Sequence, residues 1–315
     1  MADVAIIGTA NLELILGPLS RIPEWGQLSL APRMEVRKAG SAPSVAIPLH
    51  RLGVKSTVIA SVGKDDFGYE IKKALRVEGL DTSGIIPVQG MPTGICVSVY
   101  REDGERLYIS SPGAVEALNL DMILKQAPRA LNEVSFVLLT GYFLLAGLGY
   151  GGTRKLLTLC KEQGKKTFLD PGWDAGGWKS NTRDQLNALL PLIDVFLPNQ
   201  EELSALFGTP PEEPEVLSQR ALQLGPSAVF IKRGARGASV LCEEGYFEEK
   251  VHEVKVAHRT AAGESFNAGV LYGFLKGLSP QETLRFANAL AALYLERGLL
   301  NSPRVEEVKA FLASK

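Results

Sequence analysis

Short apolar runs alternate with amphipathic stretches almost from one end of the chain to the other. Residues 4–8, 56–62, 136–140, 167–170, 195–198 and 228–232 are runs of strand length with few polar positions. Between them, residues 44–52 and 67–78 read as helices, and from Gly263 onward the pattern is largely helical. Runs that are apolar at successive positions bury both faces, and the intervening helices supply the covers. The rhythm therefore predicts a parallel sheet with helices on both sides. Two regions break it. Residues 28–37 and 93–110 alternate in short steps, the second with a turn at Asp103-Gly104. They predict antiparallel strands projecting from the main sheet, placed to cover the strand ends where such folds bind ligands.

One stretch, residues 136–148 (F-V-L-L-T-G-Y-F-L-L-A-G-L), is apolar enough to suggest a membrane span. It falls short of the ~20 residues a helix needs to cross a bilayer. Gly141, Gly147, Gly149, Gly151 and Gly152 also cut it, which leaves a buried strand at 136–140 followed by a loop. The linker-like residues 209–214 (T-P-P-E-E-P) are too few to separate domains. One domain over 1–315 is expected, with a β lid built from about 12–38 and 93–111.

Lysine and arginine number 34 against 35 acidic residues, a formal net charge of −1. That balance carries no footprint for nucleic acid or an anionic membrane, and neither is expected as a partner. Cys96, Cys160 and Cys242 are odd in number and lack C-x-x-C spacing, which argues for a reducing, cytoplasmic setting. The opening M-A-D-V-A-I-I-G has neither the basic run nor the cleavage pattern of a secretion signal. His50, His252 and His258 lack metal-ligand spacing.

The chemistry concentrates in residues 257–269, A-H-R-T-A-A-G-E-S-F-N-A-G. Small residues run into Gly263, an acid follows at Glu264, and a helix pattern begins at once. Free amides and the positive end of the helix dipole converge on an anion at such a start, and small side chains let it approach. A carboxylate beside that point can take a proton from an attacking hydroxyl. An acid in a first helical turn is also favourable without any catalysis.

In this order the chain resembles the ribokinase-like (PfkB-type) carbohydrate kinases from end to end. Their signature D-T-x-G-A-G-D-x-F-x-A-G corresponds to residues 258–269. Leu52-Gly53 and Gly63-Lys64-Asp65-Asp66-Phe67-Gly68 match the amino-terminal signature, and Ala39-Gly40 with Ser44-Val45-Ala46 match it loosely. Asn199-Gln200-Glu201-Glu202 fits N-x-x-E, and Gly234-Ala235-Arg236-Gly237 fits a nucleotide-loop G-x-x-G. The resemblance implies a three-layer αβα sandwich that transfers a phosphoryl group from ATP, with Mg2+, to a hydroxyl of a sugar or sugar-like molecule. It makes Glu264 the base and the amides of Ala261, Ala262 and Gly263 an anion hole. Asn199 and Glu202 stand near magnesium, Glu202 acting through water. Lys232, Gly234, Gly237 and Asn288 border the nucleotide, and Glu13, Gly40 and Ser44 face the sugar. Lid sheets of relatives often pair between subunits, so a homodimer is expected. Plainer readings stand beside these: Glu202 as a first-turn acid, Lys232 snorkelling from a strand end, Gly234 and Gly237 as turn glycines, Asn267 and Asn288 as packing residues.

The match departs at several points. Most relatives have aspartate at Glu264, and the extra methylene moves the carboxylate by ~1.5 Å. Misplacement by ~1 Å can cost about 10²-fold in rate. Ala261 replaces a glycine and should avoid positive φ. His258-Arg259 replaces Asp-Thr, and the Arg259 guanidinium is a candidate for the charge that a monovalent cation supplies in other members. Glu13 and Ser44 replace aspartate and asparagine but still bond hydroxyls. Residues 170–174 resemble D-P-N-x-R with Asp174 at the arginine position, which predicts a neutral, hydroxyl-rich acceptor. The alternatives are a sugar- or nucleotide-binding regulatory protein with weakened catalysis, and a nucleoside kinase.

Overall fold

The computed structural model describes residues 3–102, 105–210, 212–257 and 260–314. The chain opens on β1 (Val4–Ile7), leaves for β2 (Asn11–Leu19) and β3 (Met34–Ala39), and returns through α1 (Ser41–Arg51). Next come β4 (Ser56–Gly63), α2 (Asp66–Val77) and β5 (Ile85–Val88). A second excursion, β6 (Ile95–Arg101) and β7 (Arg106–Ser111), leads to the short helices α3 (Leu120–Gln126) and α4 (Pro128–Asn132). Strands and helices then alternate through β8 (Phe136–Thr140), α5 (Gly149–Glu162), β9 (Lys166–Asp170), α6 (Ser180–Leu189) and β10 (Val195–Phe196). After α7 (Gln200–Phe207), α8 (Pro214–Gln223) and β11 (Ala228–Lys232) comes a hairpin, β12 (Ala238–Cys242) and β13 (Gly245–Glu249). Three helices close the chain: α9 (Ala262–Lys276), α10 (Pro280–Arg297) and α11 (Val305–Ala313).

Nine strands form one sheet in the order β13-β12-β11-β10-β9-β8-β1-β4-β5. Every neighbouring pair from β11 to β5 is parallel, and the β12–β13 hairpin extends the edge antiparallel. Alternation within β1 shows why the apolar runs are unbroken. Val4 and Ile6 enter the core shared with α1, α9 and α10, while Ala5 and Ile7 enter the one shared with α5, α6 and α7. The chain winds from β1 to β4 on one side and resumes at β8 on the other. That reversal opens a crevice at the carboxyl ends of the strands.

The second sheet has the order β3-β2-β6-β7. β2–β3 and β6–β7 are antiparallel, whereas β2–β6 is parallel. β2 and β6 follow β1 and β5, which run the same way in the main sheet, so both excursions leave in one direction. The run expected at 28–37 is strand only over Met34–Ala39, and the Asp103-Gly104 turn lies outside the described residues. Asp65 ties the root of this sheet to the body. Its carboxylate accepts from Gly68 N at 2.8 Å, Thr93 N at 2.7 Å and Thr93 Oγ1 at 2.5 Å. Burial opposes the charge, but these donors win and hold the carboxyl below its ordinary range. The Gly63–Gly68 motif thus anchors the second excursion.

The loop expected after residue 140 is shorter than the sequence suggests. A single tight turn at Tyr142–Leu144 leads to α5, whose first turn takes in Gly149, Gly151 and Gly152. The buried stripe of Thr153, Leu156, Leu157 and Cys160 begins only after those glycines, which hides the helix start. Among the described residues no helix is long and apolar enough to cross a membrane.

Candidate active site

Four adjacent strands each deliver one polar residue to the same place. Thr140 ends β8, Asp170 ends β9, Asn199 follows β10, and Lys232 ends β11. All four line a cleft of about 630 Å³ together with Glu202, Gly234, Gly263 and Glu264. Helix α9 points its amino terminus into this cleft. The amides of Ala261, Ala262 and Gly263 form no hydrogen bond among the described residues, as a helix start requires. A Cβ on Gly263 would meet only Lys232, with Cδ at 3.5 Å, so the glycine keeps the approach to that ammonium open.

Charge is dense here. The Lys232 ammonium lies 3.1 Å from Asp170 Oδ2, and both side chains are largely enclosed. Asn267, fully buried on α9, donates to the same oxygen at 2.5 Å. Burial by itself would lower the Lys232 ammonium; the carboxylates of Asp170, Glu202 and Glu264 outweigh it and hold it above its ordinary value. Burial pushes Glu264 up to about 7, the Asp170 carboxylate adding to the shift and Lys232 opposing it. Glu202 is likewise pushed by burial to about 7, with Lys232 opposing and Asp170 adding. A site whose carboxyls resist ionisation gains when a further cation enters.

Each residue expected from sequence has a definite position. Glu202 and Asn199 close a reciprocal cap on α7, with Asn199 N donating to Glu202 Oε2 at 2.8 Å and Glu202 N to Asn199 Oδ1 at 2.7 Å. Glu202 is thus a first-turn acid of α7, and it also lines the cleft. Lys232, Gly234, Gly237, Ala262, Gly263 and Asn288 line an adjoining cavity of about 570 Å³. Lys232, Gly234 and Gly263 belong to both cavities, which makes them continuous. Asn288 donates to the Lys250 carbonyl at 2.6 Å and so holds the wall of the second cavity. Gly237 has φ +86°, and a Cβ there would fall 2.0 Å from the Glu249 carbonyl oxygen, so only glycine fits.

The sugar-side residues are less uniformly placed. Glu13 sits on β2 directly across from Arg37, with its carboxyl raised by burial and partly restored by Arg37 and Arg106. Gly40 caps α1 at φ 112°, where a Cβ would strike the Thr9 carbonyl oxygen at 2.4 Å. Ser44 is buried inside α1 and lines neither cavity, one turn deeper than expected. Ser41 lines the cleft instead, its hydroxyl donating to the Thr140 carbonyl at 3.2 Å and accepting from Thr9 N at 3.0 Å. Asp174 makes a turn rather than a ligand contact: its carboxylate accepts from Gly176 N at 2.7 Å and Trp178 N at 2.8 Å. Its charge is spent there, so it constrains the acceptor less than expected.

Ala261 departs from the expectation of negative φ. It caps α9 at φ 68°, ψ 19°, a left-handed position that glycine occupies freely and alanine does not. The negative φ on which the expected anion hole depended is therefore not adopted, and the strain falls on this side chain. His258 and Arg259 lie outside the described residues. Sequence reasoning undervalued Asp170 and Asn267 and missed Ser41 and Thr140, because nothing local marks a residue whose importance comes from strand order.

A helix start facing strand ends across a charged cleft is the arrangement in which open α/β sheets bind anionic ligands. The model of the pfkB family carbohydrate kinases matches residues 1–307, and the chain belongs to that family. It is 28% identical to an uncharacterized sugar kinase of Archaeoglobus fulgidus over 249 residues, covering 79% of this chain and 94% of the relative. It is also 28% identical to the ATP-dependent ribose-1-phosphate kinase of Halopiger xanaduensis, covering 100% of this chain and 99% of that one. A crystal structure of a putative ribokinase II from E. coli with ATP and Mg2+ superposes at a TM-score of 0.84, with 25% identity and complete coverage of both chains.

Proposed function

We propose that the protein transfers the γ-phosphoryl group of ATP to a hydroxyl of a sugar or sugar-like polyol. The observation that carries this reading is the convergence of Glu264, Lys232 and the start of α9 at Gly263 on one cleft, the amides of residues 261–263 having no partner among the described residues. Phosphoryl transfer asks a protein mainly for positioning and charge stabilisation, and these groups supply both. Glu264 takes the acceptor proton. A carboxyl raised to about 7 is well matched to that task at neutral pH. The amides of Ala261, Ala262 and Gly263, with the Lys232 ammonium, meet the charge on the transferring group. Asn267 and Lys232 hold the Asp170 carboxylate in place.

Among the described residues no group of three or more His, Cys, Asp or Glu could hold a metal by itself. Magnesium does not need one, because it keeps several waters and binds through one or two carboxylates plus phosphates. Glu202, through water, and Asn199 fit that role, and a cation there relieves the raised Glu202 carboxyl. Bound magnesium would neutralise phosphate charge.

We place the nucleotide along Gly234, Gly237 and Asn288, and the acceptor under Glu13, Gly40 and the start of α1. Ser44 supports α1 from within. The small sheet serves as the lid of one catalytic unit spanning 1–315, and a cytoplasmic setting is supported by three free cysteines. The lid also favours a homodimer. Its outer face carries two apolar rows across all four strands, Ile109-Val97-Leu14-Val36 and Leu107-Val99-Leu16-Met34. Met34, Val36 and Ile109 are 65%, 49% and 66% exposed, a patch suited to a second copy of itself. Met34→Glu with Ile109→Glu should yield monomers in light scattering; a wild type already monomeric removes the dimer.

The test of the activity is ADP release with ATP and magnesium against a panel of sugars, sugar phosphates, polyols and nucleosides. Turnover that Glu264→Gln abolishes, with ligand binding retained, supports the reading. Full activity in that variant takes Glu264 out of the mechanism. A specific observation keeps a second reading open, a binding or regulatory protein with weakened catalysis: the strained Ala261 beside a lengthened carboxylate. If the wild type is inert and Glu264→Asp gains activity, that reading replaces the first. A preference for nucleosides over sugars in the panel would make it a nucleoside kinase.

A further inference from the structure

A third cavity, of about 310 Å³, lies between the inner face of the lid and the segment that enters the catalytic loop. Arg33, Glu35, Arg37, Tyr100 and Arg106 come from the lid, and Thr260, one residue before Ala261, comes from the body. The inner face differs sharply from the apolar outer one. Glu13 pairs across β2–β3 with Arg37, Ile15 with Glu35, and Tyr100 across β6–β7 with Arg106. Glu35 is spent on Arg37, which donates from Nε at 2.6 Å and from Nη2 at 3.1 Å. Arg101 and Glu102, exposed at the rim, offset one another in charge. The side chains of Arg33 and Arg106 form no hydrogen bond or ion pair among the described residues, although the Arg106 charge acts on the nearby Glu13 carboxyl. The cavity therefore has surplus positive charge beside the reacting centre.

The cavity is not the expected nucleotide site. That one is bordered by Gly237, Asn288 and residues 251–254, and the two share only Arg106 and Val256. Guanidinium groups gathered in a cavity match the planar, two-point bonding of a phosphate or carboxylate, which a neutral sugar does not offer. A neutral acceptor beside them would leave the Arg33 and Arg106 guanidinium groups without a counter-charge from the ligand.

Resting on the kinase reading above, we propose that the acceptor is an anionic sugar, whose phosphate or carboxylate docks on Arg33, Arg37 and Arg106 while its hydroxyl reaches Glu264. The neutral acceptor expected from Asp174 gives way to this, because that carboxylate is tied to backbone amides and the cations come from the lid.

The experiment is calorimetric titration of the whole protein with pentose and hexose monophosphates, the matching aldonic acids, the parent sugars and ATP. At least one anionic sugar should bind about tenfold or more tighter than its parent, and Arg33→Gln and Arg106→Gln should each remove about tenfold of that preference. Arg106→Lys, which keeps the charge but not the fork, should fall between, and Arg33→Gln should leave ATP affinity unchanged. Both arginines lie at the surface or half-buried, so circular dichroism of the variants should match wild type. The phosphate and aldonic-acid arms tell which oxyanion is recognised. Parent sugars binding as tightly, no anionic sugar binding, or variants that lose ATP rather than acceptor overturn the proposal. ADP release with neutral sugars alone defeats it while leaving the kinase intact. Anion-dependent binding without ADP release under any condition defeats the kinase reading instead.

Discussion

Replacing Lys232 by methionine removes one cation from among three carboxylates while keeping the side chain's length. Lys232 faces Asp170 at 3.1 Å, and its ammonium is held charged by Asp170, Glu202 and Glu264 together. Breaking a buried pair from one side costs about 3–5 kcal/mol. The side chains of Lys232 and Asp170 retain 15% and 10% exposure, and Glu202 and Glu264 can respond by taking up protons. Those two corrections bring the expected loss at pH 8 to about 2–3 kcal/mol. Over 315 residues, at ~2.1 cal/mol/K each, the unfolding entropy is roughly 0.7 kcal/mol/K, so Tm should fall by about 3–4 °C. The loss should depend on pH in one direction. At pH 5, Glu202 and Glu264 are already protonated in the native protein, and only Asp170 is left without its partner. Scanning calorimetry at pH 5 and pH 8, without ligands, reads the difference. An equal Tm shift at both values, or none at pH 8, refutes the picture of a cation shared by three carboxylates.

Other outcomes follow from the same groups. In the wild type, the Glu202 and Glu264 carboxyls stand near 7 in the folded protein, above the ordinary carboxylate value of the unfolded chain. Their contribution to stability is complete below about pH 4.5 and is lost as pH rises through 7, so Tm should decline between pH 5 and 8. Glu202→Gln, which keeps the cap on α7, should flatten that decline; an unchanged slope would assign it elsewhere. Turnover per acceptor should rise with pH through about 7 as Glu264 ionises, and Glu264→Gln should lower kcat by about 10²–10⁴-fold. Ala261→Gly should keep turnover, because the amide stays, and stabilise by up to about 1.6 kcal/mol: the left-handed alanine costs roughly 1–2 kcal/mol, offset by ~0.4–1 kcal/mol of extra freedom in the unfolded chain. A Tm lowered by several degrees would show that the loop is not strained.

Much of the fold can be read from local pattern. The strands at Phe136–Thr140 and Ala228–Lys232 match the apolar runs residue for residue, because burial on both faces leaves few other sequences possible. The β12–β13 hairpin is not among the runs read from sequence: Ala238–Cys242 is largely apolar, but Glu243-Glu244 and the acidic end of β13 interrupt the pattern. The helix start at Gly263-Glu264 was legible because its chemistry is local: amides, small side chains and an acid are consecutive in the chain. The φ of Ala261 was not, since the sequence favours a negative value and the turn into α9 imposes a positive one.

The amino-acid order by itself determined the layers, the position of the anion-binding turn and the identity of the carboxylate beside it, all consequences of short-range spacing. Only the tertiary structure decided which residues join that turn. Thr140, Asp170, Asn199 and Lys232 are about 30 residues apart in sequence and become neighbours because four parallel strands end on one line. It also decided that Arg37 and Arg106 face a cavity while Met34 and Val36 face away, since register and pleat assign each strand side chain its side of the sheet.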